Sequence, residues 1–222
     1  SHRCRLHGKI NPTLAQPEAE LTVAATKPDT SGWVWQNNGD NGYWVNPKGT
    51  KFTGGFKDNK YEGHGTLTTA KGTLVGTFKN GTAEGRCSLT TASGNTFVGE
   101  FKQSMLDGPV TATFASGNRY TGAFKGNKPH GTGKMVFAGG SQYIGGFKNG
   151  KTDGHGTFTH VTGDTYTGDF KDGMRDGQGT LTFAGGISFI GTFKQDKGEG
   201  PGTVTFPDGR SWTGVYKNSK PH

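Results

Sequence analysis

The chain has 222 residues, a formal net charge of +8 and an apolar content of only 29%, with 41 glycines. No stretch approaches the roughly 18 consecutive apolar residues of a transmembrane helix, and two cysteines, Cys4 and Cys87, are too few for a disulfide framework. So little apolar volume leaves two interpretations: disorder, or a repetitive fold that uses glycine in its turns. The aromatic content of 11% and a strict period favour the repetitive fold.

Residues 1–31 lie outside the period and are rich in Thr, Ala, Pro and Glu. We expect a linker or a loosely docked segment there. The chain starts at Ser1, and the basic residues Arg3 and Arg5 are compatible with cleavage just after an anchor, or equally with an arbitrary starting point. The localisation therefore stays open among peripheral membrane-associated, cytoplasmic, and extracytoplasmic after removal of an N-terminal anchor.

Residues 32–50 carry the period in degraded form. Trp33 and Trp44 fall 23 residues before Phe56 and Leu67, and Asp40 stands where later copies have glycine. This pattern predicts a divergent first hairpin that caps a repeat array.

Residues 51–217 repeat a unit of about 23 residues seven times and then half an eighth time. Each unit reads aromatic-x-Gly-x-Phe-Lys, a four-residue connection, acidic-Gly-x-Gly-x-apolar, and a turn with glycine. The anchor of the period is one aromatic series: Phe56, Phe78, Phe101, Phe124, Phe147, Phe170, Phe193 and Tyr216.

Both halves of the unit alternate with a period of two, which is typical of β-strands. Dipeptides such as Asn80-Gly81 and Asn149-Gly150 favour hairpin turns, because both residue types tolerate positive φ. The sequence therefore predicts an all-β fold, a single elongated and curved antiparallel β-sheet solenoid of repeated hairpins. Residues Trp212 to Lys217 would form an unfinished last strand that could pair with another copy, and residues 218–222 would form a tail.

The phrase Tyr-x-Gly-x-Phe-Lys-x-Gly-x-x-x-Gly-x-Gly, which begins at Tyr143 and again at Tyr166, resembles the MORN repeat (membrane occupation and recognition nexus). The resemblance covers residues 33–217. It departs at Leu74, which replaces the leading aromatic residue, and at Cys87 and Val110, which replace the second glycine. The resemblance implies a curved β-sheet scaffold for protein–protein contacts, often near membranes, with phospholipid headgroups as a proposed ligand.

A lysine follows the anchor aromatic residue in every unit, and an acid follows that lysine by five residues in most units. We expect these charges to pair across each hairpin, as Lys102 and Asp107 would, and to neutralise the lysine series. The fourth unit has His130 in the place of the acid, so Lys125, Lys128 and His130 form a small positive spot that could take an anionic ligand. Nucleic acid is not an expected partner.

No catalytic or metal-binding arrangement is evident. The Gly-x-Gly elements lack the strand-to-helix context of a nucleotide-binding loop. His64 and His155 occupy equivalent slots four repeats apart, and His155 and His160 have no further ligands at metal-binding spacing. No Ser/His/Asp or Cys/His arrangement is present. We therefore expect no enzyme activity, no cofactor and no metal.

The aromatic residues are the stronger candidates for function, because rings on one face of a curved sheet could dock a partner helix or peptide. The sequence thus predicts a non-catalytic scaffold that binds a protein through this face. The alternatives are a peripheral membrane adaptor for anionic phospholipid and an envelope carbohydrate binder, and homo-oligomers could form through the terminal edge strands. The candidate partner-binding residues are Trp33, Trp35, Tyr43, Trp44, Tyr120, Tyr143, Tyr166, Phe189 and Trp212.

Overall fold

The structure is a computed structural model that describes residues 32–36 and 43–222, and each regular element in these residues is a β-strand. The strands are β1 (Val34–Gln36), β2 (Tyr43–Val45), β3 (Lys51–Lys57), β4 (Lys60–Thr69), β5 (Gly72–Lys79), β6 (Thr82–Thr91), β7 (Thr96–Lys102), β8 (Met105–Thr113), β9 (Arg119–Lys125), β10 (Lys128–Val136), β11 (Gln142–Lys148), β12 (Lys151–Thr159), β13 (Thr165–Lys171), β14 (Met174–Thr182), β15 (Ser188–Lys194), β16 (Lys197–Thr205), β17 (Ser211–Lys217) and β18 (Lys220–Pro221).

The described strands divide between two compact units, with the boundary between Lys128 and Pro129. In the first unit each strand from β1 to β9 pairs antiparallel with the next. In the second unit the strands from β10 to β18 do the same. The predicted fold class is confirmed: the chain is all-β and is built of repeated antiparallel hairpins in the manner of a solenoid.

Each repeat closes its hairpin with a two-residue turn in which both residues have positive φ, as at Asn149 (51°) and Gly150 (83°). This geometry matches the twist of the flanking strands. Lys148 pairs directly with Lys151 across the turn, so the connection is two residues long and the sequence prediction of a four-residue connection is wrong. The length of the turn determines which side chains face each other across the hairpin.

Neighbouring repeats are joined by hydrogen bonds from backbone amides at both edges of the sheet. At the edge with the two-residue turns, the Gly150 amide donates to the Pro129 carbonyl at 2.9 Å, and the Gly173 amide donates to the Thr152 carbonyl at 2.9 Å. At the other edge, the Ala115 amide donates to Oδ1 of Asn95 at 2.9 Å. These bonds satisfy amides that would otherwise be left unpaired at the turns.

A bulge interrupts the second strand of the hairpin. In the second unit Gly145 pairs with Gly156, but Phe147 pairs with Thr152, so β12 carries two extra residues between these pairs. Gly154 sits in the bulge with a φ of 85°, a conformation that a residue with a side chain rarely adopts. The glycine seven residues after each anchor aromatic residue is therefore required by the backbone.

The ends of the chain differ in part from the sequence prediction. Within the predicted cap, β1 and β2 pair with Trp35 opposite Trp44, and its capping role stays a prediction. Residues 1–31, Asp40 and Gly42 lie outside the described residues. Residues 218–222 were predicted as a tail, but Pro221 and Lys220 pair with Tyr216 and Lys217 and continue the last hairpin. The remaining domain boundaries stay predictions.

Candidate functional site

In four repeats the leading aromatic residue covers glycines of its own hairpin; these residues are Phe52, Tyr143, Tyr166 and Phe189. The Tyr143 ring covers Gly145 and Gly156, where an added Cβ would collide with the phenol. Its hydroxyl donates a hydrogen bond to the Gly146 carbonyl at 3.0 Å. The missing side chains of the Gly-x-Gly element thus create the space that the ring fills.

These rings also join one repeat to the next. Tyr143 makes edge-to-face contacts with Phe147 of its own strand at 5.2 Å and with Phe170 of the following repeat at 5.0 Å. Tyr166 repeats the arrangement with Phe170 at 5.1 Å and Phe193 at 4.9 Å. Aromatic pairs with this geometry stabilise by about 0.5–1.5 kcal/mol beyond their buried area, so the ring series is the core of the array.

The core position of these rings corrects the partner-binding prediction for four residues. Tyr120, Tyr143, Tyr166 and Phe189 are each 0% exposed, so they offer no surface to a partner. The alternation pattern predicted correctly that these residues share one face of the sheet. The glycines on that face leave room for each ring to pack against the backbone and to cover its neighbours. Trp212 is 44% exposed and contacts only its own Tyr216 among the described rings, at 5.5 Å.

The three tryptophans of the cap form a cluster with the first full repeat. Trp33 and Trp44 contact the Phe56 ring at 5.9 and 5.2 Å, and Trp35 contacts Trp44 at 5.3 Å. The Tyr43 hydroxyl donates to Oε1 of Gln36 at 3.0 Å, and Trp35 is 49% exposed. A partner-binding role for these residues and for Trp212 stays a prediction.

Burial changes the acidity of the core tyrosines. Desolvation raises the pKa of Tyr61 to about 12. The same cause raises the pKa of Tyr120, Tyr143 and Tyr166 still further above the usual range, because the phenolate would lose its hydration inside the ring series. These phenols therefore stay neutral at physiological pH, and those of Tyr120, Tyr143 and Tyr166 donate hydrogen bonds to backbone carbonyls.

One buried position of the repeat was not identified from the sequence. The fifth residue after each anchor aromatic residue faces it across the two-residue turn, as Thr152 faces Phe147 and Arg175 faces Phe170. We call this position the slot; its occupants are Tyr61, Ala83, Leu106, Pro129, Thr152, Arg175 and Gly198. It could have been found from the same period if the turn had been assigned two residues.

Arg175 is the charged occupant of the slot and is 1% exposed. Its guanidinium carbon lies 5.5 Å from the centre of the Tyr166 ring and 5.1 Å from that of Phe193. Its Nη2 donates to the Asp196 carbonyl at 2.6 Å, and its Nε lies 3.4 Å from the Asp196 carboxylate. Desolvation lowers the pKa of Arg175, against the opposing effect of Asp196. The side chain holds one repeat to the next by stacking and charge-assisted hydrogen bonds.

The acidic series has a different role from the one expected. The predicted pairing forms between Lys102 and Asp107 at 3.1 Å. Most acids instead accept a hydrogen bond from the first amide of the next repeat's turn, as Glu62 does from Asn80 at 3.0 Å and Glu199 from Asn218 at 3.0 Å. The expectation that acids neutralise the lysine series within each hairpin is therefore wrong for most repeats.

The residues of the predicted positive spot lie in two strands. Lys125 is exposed at the end of β9, whereas Lys128 and His130 are half-buried in β10. Their proposed role as a site for an anionic ligand stays a prediction.

The second unit has one sheet face that is not covered by any described residue, and we call it the open face. Alternate residues of β11, β13, β15 and β17 point to it. Ile144, Ile190 and Val215 are 50%, 56% and 51% exposed. Threonines lie between them and bond across strands, as Thr157 does with Thr167 at 3.0 Å.

Other chemistry is sparse in the part of the chain that the structure describes. It contains no group of three or more metal-binding side chains and no helix that could cross a membrane. Cys87 is buried and free, and desolvation raises the pKa of its thiol. Cys4 lies outside the described residues.

The hairpin period, the ring series over glycines and the two-residue turns define a class of β-repeat protein. The MORN repeat family model matches residues 52–74, 75–96, 120–142, 143–165, 166–188 and 189–209, which is more than half of the chain, and the protein belongs to this family. The unmatched residues 97–119 form a hairpin with Val110 in place of the second glycine.

The solved structures that are similar to the chain include the following two. One is the G-box domain of the microcephaly protein CPAP, with 13% identity, a TM-score of 0.51, and coverage of 84% of this chain and 100% of that one. The other is the TCP domain of SAS-4 from Drosophila melanogaster in complex with a proline-rich motif of Ana2, with 11% identity, a TM-score of 0.42, and coverage of 83% and 90%. The first likeness concerns the fold alone. No curated protein matches the chain.

Proposed function

We propose that the protein is a non-catalytic scaffold that binds a protein partner on the open face of its hairpin array. The observation that carries this proposal is the contrast between the two faces of the second unit. Tyr143, Tyr166 and Phe189 are buried on one face, while Ile144 and Ile190 are half exposed on the other. An uncovered sheet face with exposed aliphatic side chains is a surface that a partner can cover with a gain in hydrophobic free energy.

Membership of the MORN family supports a binding role rather than a catalytic one. The alternative of an envelope carbohydrate has less support, because the aromatic rings that would stack on a sugar are mostly buried. Anionic phospholipid is the second alternative. The cap rings and Trp212 remain a second place where a partner could contact the array.

The test is a retention assay with the immobilised chain and an extract of cells that express the gene. The variant carries Ile144→Glu and Ile190→Glu, and the matched control carries Val161→Glu, a residue 62% exposed in the turn between β12 and β13. We expect proteins retained by the wild type and by the control to be lost from the double variant. Equal retention by all three, with unchanged thermal unfolding, would exclude the open face.

A further inference from the structure

The lysines beside the two-residue turns of the second unit form one continuous border of the open face, which we call the lysine ladder. Within β11 the residues Ile144, Gly146 and Lys148 point to the same side, and Ile190 and Lys194 do so in β15. The ladder consists of Lys148, Lys151, Lys171, Lys194, Lys197, Lys217 and Lys220, all of which are exposed.

Lysines face each other directly across three of these turns. Lys148 pairs with Lys151, Lys194 with Lys197, and Lys217 with Lys220. Like charges directly opposite destabilise a hairpin, so an anion between each pair would relieve the repulsion.

Among the described acids near the ladder, Asp172 alone forms an ion pair with a ladder lysine. The carboxylates of Asp153, Asp176 and Glu199 accept hydrogen bonds from backbone amides of the next turn, at 3.5, 3.3 and 3.0 Å. Asp172 lies 3.6 Å from Lys151, and Asp196 bonds Arg175. Lys148, Lys171, Lys194 and Lys217 make no ion pair with any acid among residues 43–222.

The spacing of the ladder indicates the conformation of an anionic ligand that would match it. Successive turns are two strands apart, which is roughly 9.5 Å at the usual strand separation. A segment in polyproline II conformation has three residues per turn and rises roughly 9.3 Å over them, so every third side chain points the same way at nearly the same interval.

We propose that the lysine ladder binds an acidic segment of the partner protein, extended in polyproline II conformation, with a carboxylate at every third residue. This proposal deepens the proposed function and depends on it. Such a segment crosses the hairpins at their turns, and the rest of the partner can then contact Ile144 and Ile190 on the same face.

The test uses synthetic labelled peptides and fluorescence anisotropy at low and high salt. The probe peptide has the sequence (Glu-Pro-Pro) repeated four times, and the control peptide has the same composition with its four glutamates adjacent. The protein variant carries Lys194→Gln and Lys217→Gln. The matched control loses two exposed positive charges of the first unit, away from the ladder, through Lys71→Gln and Arg119→Gln.

We expect the spaced peptide to bind the wild type in a salt-sensitive manner. The ladder variant should weaken binding roughly tenfold, as expected for two lost exposed ion pairs, while the charge-matched control should change it less than about twofold. Equal weakening by both variants, or equal affinity for the clustered peptide, would overturn the proposal.

Binding to phosphatidylserine vesicles without binding to the spaced peptide would also overturn it, since the ladder would then serve a membrane surface. The proposed function has a separate readout. If the peptide fails to bind while the loss of retained proteins with Ile144→Glu and Ile190→Glu persists, the scaffold function stands and the acidic partner segment does not.

Discussion

At the scale of the residue, glycine has two distinct roles in the same strand. Gly154 has open space around its missing side chain but a φ of 85°, whereas Gly156 lies directly under the Tyr143 phenol without positive φ. The first glycine is required by backbone conformation and the second by the volume of a neighbouring ring. The sequence pattern shows both as equally regular, so only the structure separates the two causes.

This distinction gives a double-mutant prediction. Gly154→Ala should lower the free energy of unfolding by about 1–2 kcal/mol through left-handed strain, and Gly156→Ala by about 3 kcal/mol through overpacking. Adding Tyr143→Leu should offset part of the cost of Gly156→Ala but none of the cost of Gly154→Ala, because only the former contacts the ring. Denaturant unfolding measures all five variants, and additive costs for both glycines would contradict the packing role.

The buried phenols predict a loss of stability at alkaline pH. Because desolvation raises the pKa of Tyr61, Tyr120, Tyr143 and Tyr166 above the ordinary value, the folded chain holds these protons more tightly than the unfolded chain. The contribution is complete below about pH 10, where tyrosine in an unfolded chain ionises, and decreases as pH rises beyond that value.

The variant Tyr143→Phe tests both the direction of this pH dependence and its assignment to buried phenols. At neutral pH it should cost about 1 kcal/mol, because its hydroxyl bond to Gly146 is lost. Above pH 10 the slope of unfolding free energy against pH should be less steep than in the wild type, since one shifted group has been removed. An identical slope in chemical denaturation would mean that the Tyr143 phenol ionises normally in the folded chain.

At the scale of the element, each hairpin depends on what fills the slot opposite its anchor aromatic residue. Leu106 and Arg175 occupy equivalent slots, and both are at most 1% exposed. A buried arginine needs both aromatic faces and the oxygens of Asp196 to offset its desolvation, whereas leucine needs only apolar neighbours. The slot thus accepts an apolar side chain in one repeat and a charged side chain in another.

This equivalence predicts the effect of replacing Arg175. Arg175→Leu should keep the free energy of unfolding within about 1 kcal/mol of the wild type, because an apolar residue can replace a buried ion pair. Arg175→Ala should cost about 2–4 kcal/mol, since it leaves a cavity between Tyr166 and Phe193. Thermal and denaturant unfolding compare the two, and equal large losses would show that the charge itself is required.

Strands and hairpins could be predicted from the sequence because alternation and Asn-Gly dipeptides are local signals. The hydrogen-bond partners of the acidic residues could not be predicted in this way. Glu199 follows Lys194 by five residues but precedes the Asn218 amide that it binds by nineteen, and the period alone does not choose between them. The two-residue turn decides the matter, because its first amide points toward the acid of the preceding repeat.

At the scale of the whole molecule, family membership and repeat architecture follow from the period, since every copy repeats the same signal. The binding surface does not follow, because alternation assigns Tyr143 and Ile144 to opposite faces without showing which face is covered. Ring burial over glycine reverses the expected assignment. The rings of Tyr143, Tyr166 and Phe189 are interior, whereas Ile144 and Ile190 are exposed on the opposite face. The proposed binding site is therefore the open face with its lysine border, and not the ring series.

Hydroxyl-radical footprinting read by mass spectrometry tests this reversal most directly. In the free protein we expect oxidation at Trp212, Ile144 and Ile190 and almost none at Tyr143, Tyr166 and Phe189, although aromatic rings are intrinsically the more reactive groups. When the retained partner is added, Ile144 and Ile190 should become protected. Strong oxidation of Tyr143 and Tyr166 in the free chain, followed by their protection on binding, would contradict the open face and restore the aromatic series as the docking surface.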